Sequence, residues 1–118
     1  MEGAIEVHTR PWKLVFSAPG LQRQEFTARD LFDALVALRR ELEKLGIKLL
    51  CAGARTDVFP SGMSRSMGGG RKAYVMRMGT PASELVDIFD YAGPELVGGV
   101  DQQREFRDQW LVSLKKIK

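Results

Sequence analysis

The strongest constraint on the fold is a leucine pattern in the first half of the chain. Between residues 31 and 45, leucines recur three or four positions apart, at Leu31, Leu35, Leu38, Leu42 and Leu45. This spacing places them on one face of an amphipathic helix. Thr27 is a suitable N-terminal cap and Gly46 a suitable C-terminal cap, so the pattern predicts a helix over about residues 28–45.

The residues before this helix predict a β-hairpin. Residues 12–17 alternate apolar and polar side chains, as a strand with one buried face does. Pro19 followed by Gly20 suits a type II turn, because Pro fixes φ at about −65° and Gly accepts the positive φ of the next position. Residues 22–27 then form the returning strand, and residues 1–10 are either a loose arm or a first edge strand.

Further strands are predicted after the helix. The apolar run 47–52 predicts a central strand buried on both faces, and residues 72–78 alternate as a half-buried strand does. Residues 84–91 fit both a strand and a helical turn, and we interpret them as a strand. Asp101 is a suitable cap for a last helix. The apolar stripe of that helix comprises Phe106, Trp110, Leu114 and Ile117.

These elements predict an α+β fold in the order β-β-α-β-β-β-α. We expect a mixed or antiparallel sheet of about four to five strands with two helices. The chain has 118 residues, of which 44% are hydrophobic and 28% charged, a composition typical of a folded globular protein. Because this length supports one hydrophobic core and not two, we expect a single domain over residues 1–118.

Cysteine content and hydropathy indicate the cellular setting. Cys51 is the only cysteine, so an intrachain disulfide is impossible and a reducing compartment is expected. Its apolar neighbours predict a buried, unreactive thiol. The first thirty residues lack the apolar core of a signal peptide, and no run of about 18 apolar residues is present that would span a bilayer. We therefore expect a cytoplasmic protein without membrane association.

The chemically unusual part of the chain is the segment of residues 55–72, of which residues 56–71 follow no helix or strand period. The whole chain carries a formal charge of +3, with 18 basic and 15 acidic residues. Within this segment one acid, Asp57, accompanies four cations: Arg55, Arg65, Arg71 and Lys72. We predict a mobile surface loop with a basic rim.

Three consecutive glycines, Gly68, Gly69 and Gly70, precede Arg71 and Lys72. Such glycines let backbone N–H groups wrap an anion while the cations neutralise its charge. The spacing differs from a P-loop, in which the glycines lead through Lys and a hydroxyl residue into a helix. Binding of a phosphate-bearing ligand, either a nucleotide or RNA, is therefore the alternative function of this segment.

Met63 and Met67 lie four positions apart in the same segment. Their flexible, polarizable side chains suit either the core or contact with a partner, and both Met and Arg are enriched at protein interfaces. Trp12 and Trp110 lie on apolar stripes instead, and we predict that both pack in the core.

Groups for nucleophilic catalysis or zinc binding are sparse. Ser61, Ser64 and Ser66 would each need a base to act as nucleophiles, and the sole histidine, His8, is far away in the sequence. One cysteine and one histidine cannot complete a tetrahedral zinc site without several carboxylates. We expect neither a metal nor a cofactor.

Carboxylates offer a weak route to catalysis. Asp57, Asp87 and Asp90 would together suit acid/base chemistry or Mg²⁺ binding. In a strand, however, residues 87 and 90 point to opposite faces, and an ion pair with Arg55 explains such an acid equally well. An enzyme using Asp57, Asp87 and an arginine is the least favoured class, and the sequence favours a protein without catalytic activity.

Three stretches carry a resemblance to a group of small single-domain bacterial proteins: GARTDVFPSGMSRSMGGGRKAY at residues 53–74, LFDALVALRRELE and LVDIFDYA. The resemblance brings no activity, cofactor or site residues. It implies a cellular setting, because many such proteins are immunity proteins that neutralise a secreted toxin by binding it. Inhibitors of basic nuclease toxins tend to be acidic, whereas this chain is basic, so we expect a partner that is acidic or apolar at the contact.

The sequence thus predicts a non-catalytic bacterial binding protein of immunity type that acts through residues 55–72. The expected contact residues combine cations with flexible apolar side chains: Arg55, Met63, Arg65, Met67, Arg71 and Lys72.

Overall fold

The computed structural model describes residues 3–115. Its strands are β1 (Ala4–Thr9), β2 (Trp12–Ser17), β3 (Gln24–Thr27), β4 (Val58–Phe59), β5 (Lys72–Arg77) and β6 (Thr80–Asp87). Its helices are α1 (Leu31–Glu43), α2 (Gly62–Gly68) and α3 (Val100–Leu114), with a 3₁₀ turn at Ala52–Ala54. The fold is α+β, but the predicted architecture is wrong. Within these residues there are two three-stranded sheets and three α-helices, in the order β-β-β-α-β-α-β-β-α.

The first sheet has the order β1-β2-β3 and contains the predicted hairpin. Gly20 has a φ of +78°, and the Leu21 N–H donates to the Ala18 carbonyl at 3.1 Å, which closes the turn between β2 and β3. Residues 4–9 form a strand and not a loose arm, because β1 pairs along β2 with Val7 opposite Leu14.

The second sheet has the order β4-β5-β6, and its last strand lies earlier than predicted. A two-residue turn joins β5 to β6, and their ladder starts with Arg77 opposite Thr80. β6 starts at Thr80 and ends at Asp87, instead of covering residues 84–91. Beyond this point the chain turns, since the Asp90 N–H donates to the Asp87 carbonyl at 3.0 Å.

The predicted central strand at residues 47–52 is not a strand. Its side chains alternate, with Ile47 and Leu49 half-buried against the core and Leu50 exposed. The segment lies beside a loop instead of a strand. Separate hydrogen bonds join the two, such as that from the Ala92 N–H to the Leu50 carbonyl, at 3.2 Å. A ladder cannot extend because the 3₁₀ turn follows at once.

Residues 55–72 are not a loop, since they contain β4 and α2 and end in β5. β4 pairs with β5, which places Val58 opposite Val75. The residues of α2, GMSRSMG, include two glycines and have low intrinsic helix propensity. The helix forms because its ends are capped and because one side chain makes long-range ion pairs.

The first long helix begins later than predicted. α1 starts at Leu31 with Asp30 as its N-cap, and the Asp30 carboxylate accepts a hydrogen bond from the Asp33 N–H at 2.7 Å. The predicted cap, Thr27, instead ends β3. Gly46 has a φ of +71° and follows the last turn, consistent with its predicted role in ending the helix.

The last helix also begins at a different residue. α3 starts at Val100 with Gly99 at its N-cap position, so the predicted cap, Asp101, lies in the first turn. The Val100 N–H donates to the Glu43 carboxylate at 2.8 Å, which links the start of α3 to the end of α1. Ile117, assigned to the apolar stripe of α3, lies outside the described residues. Within residues 3–115, no helix combines the length and apolar character that crossing a membrane requires.

One hydrophobic core joins both sheets through α1. Its most deeply buried side chains come from the two sheets and this helix, and they include Leu14, Phe32, Leu35, Leu38, Val58 and Ala73. Cys51 is buried in the same cluster, and burial raises the pKa of its thiol. The thiol is therefore protonated at neutral pH.

A buried polar pair ties α1 to α3. Arg39 and Gln103 are 3% and 0% exposed, and the Arg39 Nη1 donates to the Gln103 Oε1 at 2.7 Å. The Gln103 Nε2 lies within 2.8–2.9 Å of three carbonyl oxygens, those of Gly53, Arg55 and Val58. The charge of Arg39 is thus met by carbonyl and amide oxygens, and its guanidinium also donates to the Gly53 carbonyl at 3.1 Å.

Candidate partner-binding surface

Local capping defines both ends of α2. Ser61 is its N-cap, and the Ser61 Oγ accepts a hydrogen bond from the Ser64 N–H at 3.0 Å. Gly69 ends the helix with a φ of +68°, the left-handed conformation typical of a C-terminal cap. The serine and the glycine that frame this short stretch are the sequence signal for the helix, although the stretch lacks apolar periodicity.

Arg65 anchors the inner face of α2 to the N-terminus of α1. Its Nε donates to the Asp30 carboxylate at 2.8 Å, and its Nη2 donates to the Asp33 carboxylate. The guanidinium also lies 5.5 Å from the centroid of the Phe32 ring. The Arg65 side chain is therefore committed to holding α2 in place.

The anchor shifts two pKa values. Burial raises the pKa of Asp33, but the hydrogen bonds and positive charges of Arg29 and Arg65 together lower it by more, so the net pKa lies below the ordinary value of 3.8. Burial lowers the pKa of Arg65, but its bonds to Asp30 and Asp33 raise it by more. Both members of the pair are charged at neutral pH.

Two of the three consecutive glycines serve this packing. Gly69 lies so close to the Trp12 indole that a Cβ atom would overlap the ring. The Gly69 carbonyl accepts from the Leu31 N–H at 2.7 Å. The N–H groups of Gly69 and Gly70 both donate to the Ser64 carbonyl at the end of α2. These two N–H groups are thus already bonded within the chain, which does not favour the anion-wrapping geometry of the phosphate hypothesis.

The outer face of α2 presents two methionines, and we call this pair the methionine face. Met63 is 71% exposed and Met67 is 81% exposed. Residues four positions apart lie on the same side of a helix. Of the two sequence-based alternatives for these side chains, core or surface, the fold places both at the surface.

Two cations follow α2 at the start of the second sheet. The Arg71 Nε donates to the Asp87 carboxylate at 2.9 Å, and the Lys72 Nζ lies 3.7 Å from the same carboxylate. The Arg71 guanidinium is 5.2 Å from the centroid of the Phe89 ring. Both cationic side chains remain substantially exposed. The Ser64 Oγ donates to the Lys72 carbonyl and so joins α2 to β5.

Arg55 has a structural contact instead. Its Nε and Nη2 donate to the two carboxylate oxygens of Asp57, each at 2.8 Å, and these hydrogen bonds to the carboxylate raise the pKa of Arg55. The six predicted contact residues therefore divide into two groups. Two are held in part-buried ion pairs, Arg55 and Arg65, and four remain exposed, Met63, Met67, Arg71 and Lys72.

The candidate catalytic acids are also engaged in structural contacts. Burial raises the pKa of Asp87, but hydrogen bonds from the Phe89 N–H and from Arg71, together with the charges of Arg71 and Lys72, lower it by more, to below its ordinary value of 3.8. Asp87 is therefore ionised at neutral pH and is not a proton donor. Asp57 forms an ion pair with Arg55, whereas Asp87 forms one with Arg71, so the two acids belong to different ion pairs.

The histidine and the serines have separate partners. His8 lies on β1 and hydrogen-bonds the Glu6 carboxylate at 3.1 Å. The Ser66 Oγ donates to the Met63 carbonyl at 3.3 Å, and the other two serines cap α2 or bond β5. Across residues 3–115, no group of three or more His, Cys, Asp or Glu side chains is arranged to hold a metal ion.

A groove between the second sheet and α3 has no counterpart in the sequence predictions. Its volume is about 280 Å³, and its apolar lining includes Phe59, Tyr74, Met76, Ala82, Trp110 and Leu111. Trp110, predicted to pack in the core, is half-buried in this groove, and its Nε1 donates to the Thr80 carbonyl at 2.9 Å. The Arg107 guanidinium lies 4.7 Å from the centroid of the Phe59 ring. The apolar stripe of α3 is visible in the sequence, but the sheet that it meets is not.

The chain matches no model of a known protein family, and no curated protein matches it at a significant level.

Proposed function

We propose that this chain is a non-catalytic, cytoplasmic bacterial binding protein of the immunity type, which holds a secreted toxin on the methionine face and the adjoining cations. The observation that supports the proposal best is the exposure of Met63 and Met67 on a helix whose opposite face is anchored by Arg65. A fixed helix with flexible apolar side chains offers a preorganised backbone and an adaptable contact.

The size of the apolar contribution suits a central contact. Burying one large apolar side chain contributes about 1.5–3 kcal/mol, and Met63 and Met67 are both largely available for burial. Interfaces concentrate their binding energy in a few well-buried side chains near the centre. Met63 and Met67, one turn apart on α2, are proposed as such a centre.

The neighbouring charges support a partner with an acidic rim. Arg71 and Lys72 share one carboxylate, that of Asp87, so one positive charge is left over at this place. Exposed charges at the rim of an interface affect the association rate and its salt dependence more than the final affinity. The partner contact is therefore proposed to be apolar at α2 and acidic beside β5.

The alternative, a phosphate-bearing ligand, has less support. Arg71 and Lys72 remain exposed, but the N–H groups of Gly69 and Gly70 have partners within the chain. A phosphate ligand would bind with an affinity that falls steeply as salt is added. Flat titrations with nucleotides and oligonucleotides at low salt would remove this alternative.

The test combines capture with protection. The product of the adjacent gene is expressed as the toxin, and its binding to the purified chain and the growth of co-expressing cells are measured. Met63→Ser with Met67→Ser should weaken binding by at least about tenfold, since two apolar contacts are lost, and should abolish protection. Arg71→Gln with Lys72→Gln should mainly lower the association rate and its salt dependence.

A matched control replaces Leu45 and Leu50 by Ser. Both leucines are exposed, and Leu45 lies beyond the far end of α1 from the Arg65 anchor. This variant should bind and protect like the unmodified chain. Equal losses in both serine variants, or unchanged binding without the methionines, would refute the proposed surface. Arg65→Ala is unsuitable as a probe of binding alone, because it also releases Asp30 and Asp33.

A further inference from the structure

We propose that the groove between the second sheet and α3 is a binding site for a small planar aromatic carboxylate of one or two rings. The site uses neither Met63 nor Met67, although it borders the start of α2, and it is proposed whether or not a toxin binds. It is built from residues of β4, β5, β6 and α3 and from the segment 60–62 that leads into α2, with Arg107 as its cation.

The size and lining of the groove favour a flat apolar ligand body. Small-molecule sites are concave and mostly apolar, with volumes from about 300 Å³ upward, and this groove, at about 280 Å³, lies just below that range, which favours a small ligand. Three aromatic side chains take part in the lining, those of Phe59, Tyr74 and Trp110. Aromatic pairs prefer offset or edge-to-face contact, which a planar ring can make with such walls.

The position of Arg107 favours an acid. The guanidinium stacks over Phe59 at 4.7 Å and lines the groove. Its Nε donates to the Asp108 carboxylate at 3.0 Å, while its two terminal nitrogens have no hydrogen-bond partner among residues 3–115. A carboxylate in the groove can accept from those nitrogens, and a charge-assisted bond of this type is stronger than a neutral one.

Ser61 supplies a second polar group at the same groove. Its Oγ accepts from the Ser64 N–H as the cap of α2, and no acceptor within residues 3–115 takes its hydroxyl proton. The Trp110 Nε1, in contrast, is already bonded to the Thr80 carbonyl. The groove thus offers hydrogen-bond donors to a ligand oxygen and apolar walls to its rings, without a free basic acceptor for a ligand cation.

The experiment is an NMR titration of the ¹⁵N-labelled chain, residues 1–118, with 1-naphthoate. Trp110→Phe identifies the indole N–H signal of Trp110 against that of Trp12. Binding should move the Trp110 signal and the Ala82 amide signal in a saturable way. A ligand of this size is expected to have a Kd on the order of 1 mM.

Three variants and one matched probe distinguish recognition of the carboxylate from nonspecific hydrophobic binding. Arg107→Gln should raise the Kd by at least about tenfold, because it removes a charge-assisted bond. Arg104→Gln removes the same charge from an exposed residue outside the groove and should leave the Kd unchanged. Ala82→Leu fills the groove and should block binding. The neutral analogue 1-naphthamide should bind several-fold more weakly than 1-naphthoate.

Each outcome of the titration either supports the site or overturns it. Saturable shifts at Trp110 that depend on Arg107 and on the carboxylate support the site. Equal affinity for 1-naphthamide, equal loss in Arg104→Gln, shifts centred on Phe89 beside Arg71, or no saturation up to about 10 mM would each overturn it. The Met63→Ser, Met67→Ser variant should still bind 1-naphthoate, so failure of the toxin proposal and failure of this site are distinguishable.

Discussion

Replacing Gln103 should show most clearly how much of the stability of this fold comes from contacts between residues that are distant in the sequence. Its amide accepts from Arg39 and lies against three carbonyl oxygens, and its side chain is fully buried. Gln103→Leu puts an apolar side chain of similar size in place of the amide and removes all of these bonds. The Arg39 guanidinium and the carbonyls then lose a buried partner at the same time.

The expected loss follows from the individual contacts. A hydrogen bond to a charged group contributes about 1.5–3 kcal/mol, and a buried polar group left unpaired costs about 1–3 kcal/mol. Arg39 keeps its bonds to the Gly53 and Gly98 carbonyls, each at 3.1 Å, so only part of its solvation is lost. We expect Gln103→Leu to lower the free energy of unfolding by about 3–5 kcal/mol. This is a large fraction of the total for a small domain, which is about 5–15 kcal/mol.

Urea denaturation followed by circular dichroism measures this loss. Gln109→Leu is the matched control, because Gln109 lies on the same helix, is exposed, and makes only a 3.4 Å contact with Glu105. It should change the free energy of unfolding by less than about 0.5 kcal/mol. A Gln103→Leu value within about 1 kcal/mol of the unmodified chain would refute the reasoning.

A double-mutant cycle tests the pairing itself. Arg39→Met should also destabilise the fold, and the Arg39→Met, Gln103→Leu pair should lose less than the two single losses combined. The expected coupling is at least about 1 kcal/mol, because the two side chains are in direct contact and one is charged. Strict additivity would show that the observed bond contributes nothing specific.

Three further results are expected. Gly69→Ala should lower the free energy of unfolding by at least about 2 kcal/mol, since a left-handed backbone costs about 1–2 kcal/mol and the new Cβ would overlap Trp12. Gly20 has a similar φ but lies in open space, so Gly20→Ala should lower it by less in the same urea assay. Asp33 and Asp87 have folded pKa values below the ordinary value of 3.8, so the unfolded chain binds more protons as the pH falls. Stability should be steady above about pH 5 and decrease below about pH 4, which urea midpoints from pH 3 to 7 will check; rising stability on acidification would contradict this. The Cys51 thiol should react slowly with a disulfide reagent in the native state and rapidly in urea, because burial raises its pKa.

Local chemistry made parts of this fold predictable. The leucine spacing, the Pro19–Gly20 turn and the strand at residues 12–17 depend on residues close together in the sequence, and the structure contains a helix, a turn and a strand at these places. Two details differ: Leu45 lies beyond the end of α1 and is exposed, and β2 does not alternate, because Val15 is buried as well as Leu14 and Phe16. The end of β5 is also set locally, because the predicted strand at residues 72–78 ends at Arg77, shortly before Gly79. The methionines were recognised as candidate contacts from their spacing, but nothing near them in the sequence decided between core and surface.

The sequence by itself therefore determined the α+β class and the local periods, and it drew attention to residues 55–72. Only the tertiary structure decided that this segment is a strand and a helix, because α2 depends on Arg65 reaching Asp30 and Asp33, more than thirty positions earlier. Contacts at that distance follow from how the elements pack and leave no period in the sequence. For the same reason the four cations of the segment, alike in composition, separate into two structural ion pairs and two exposed charges.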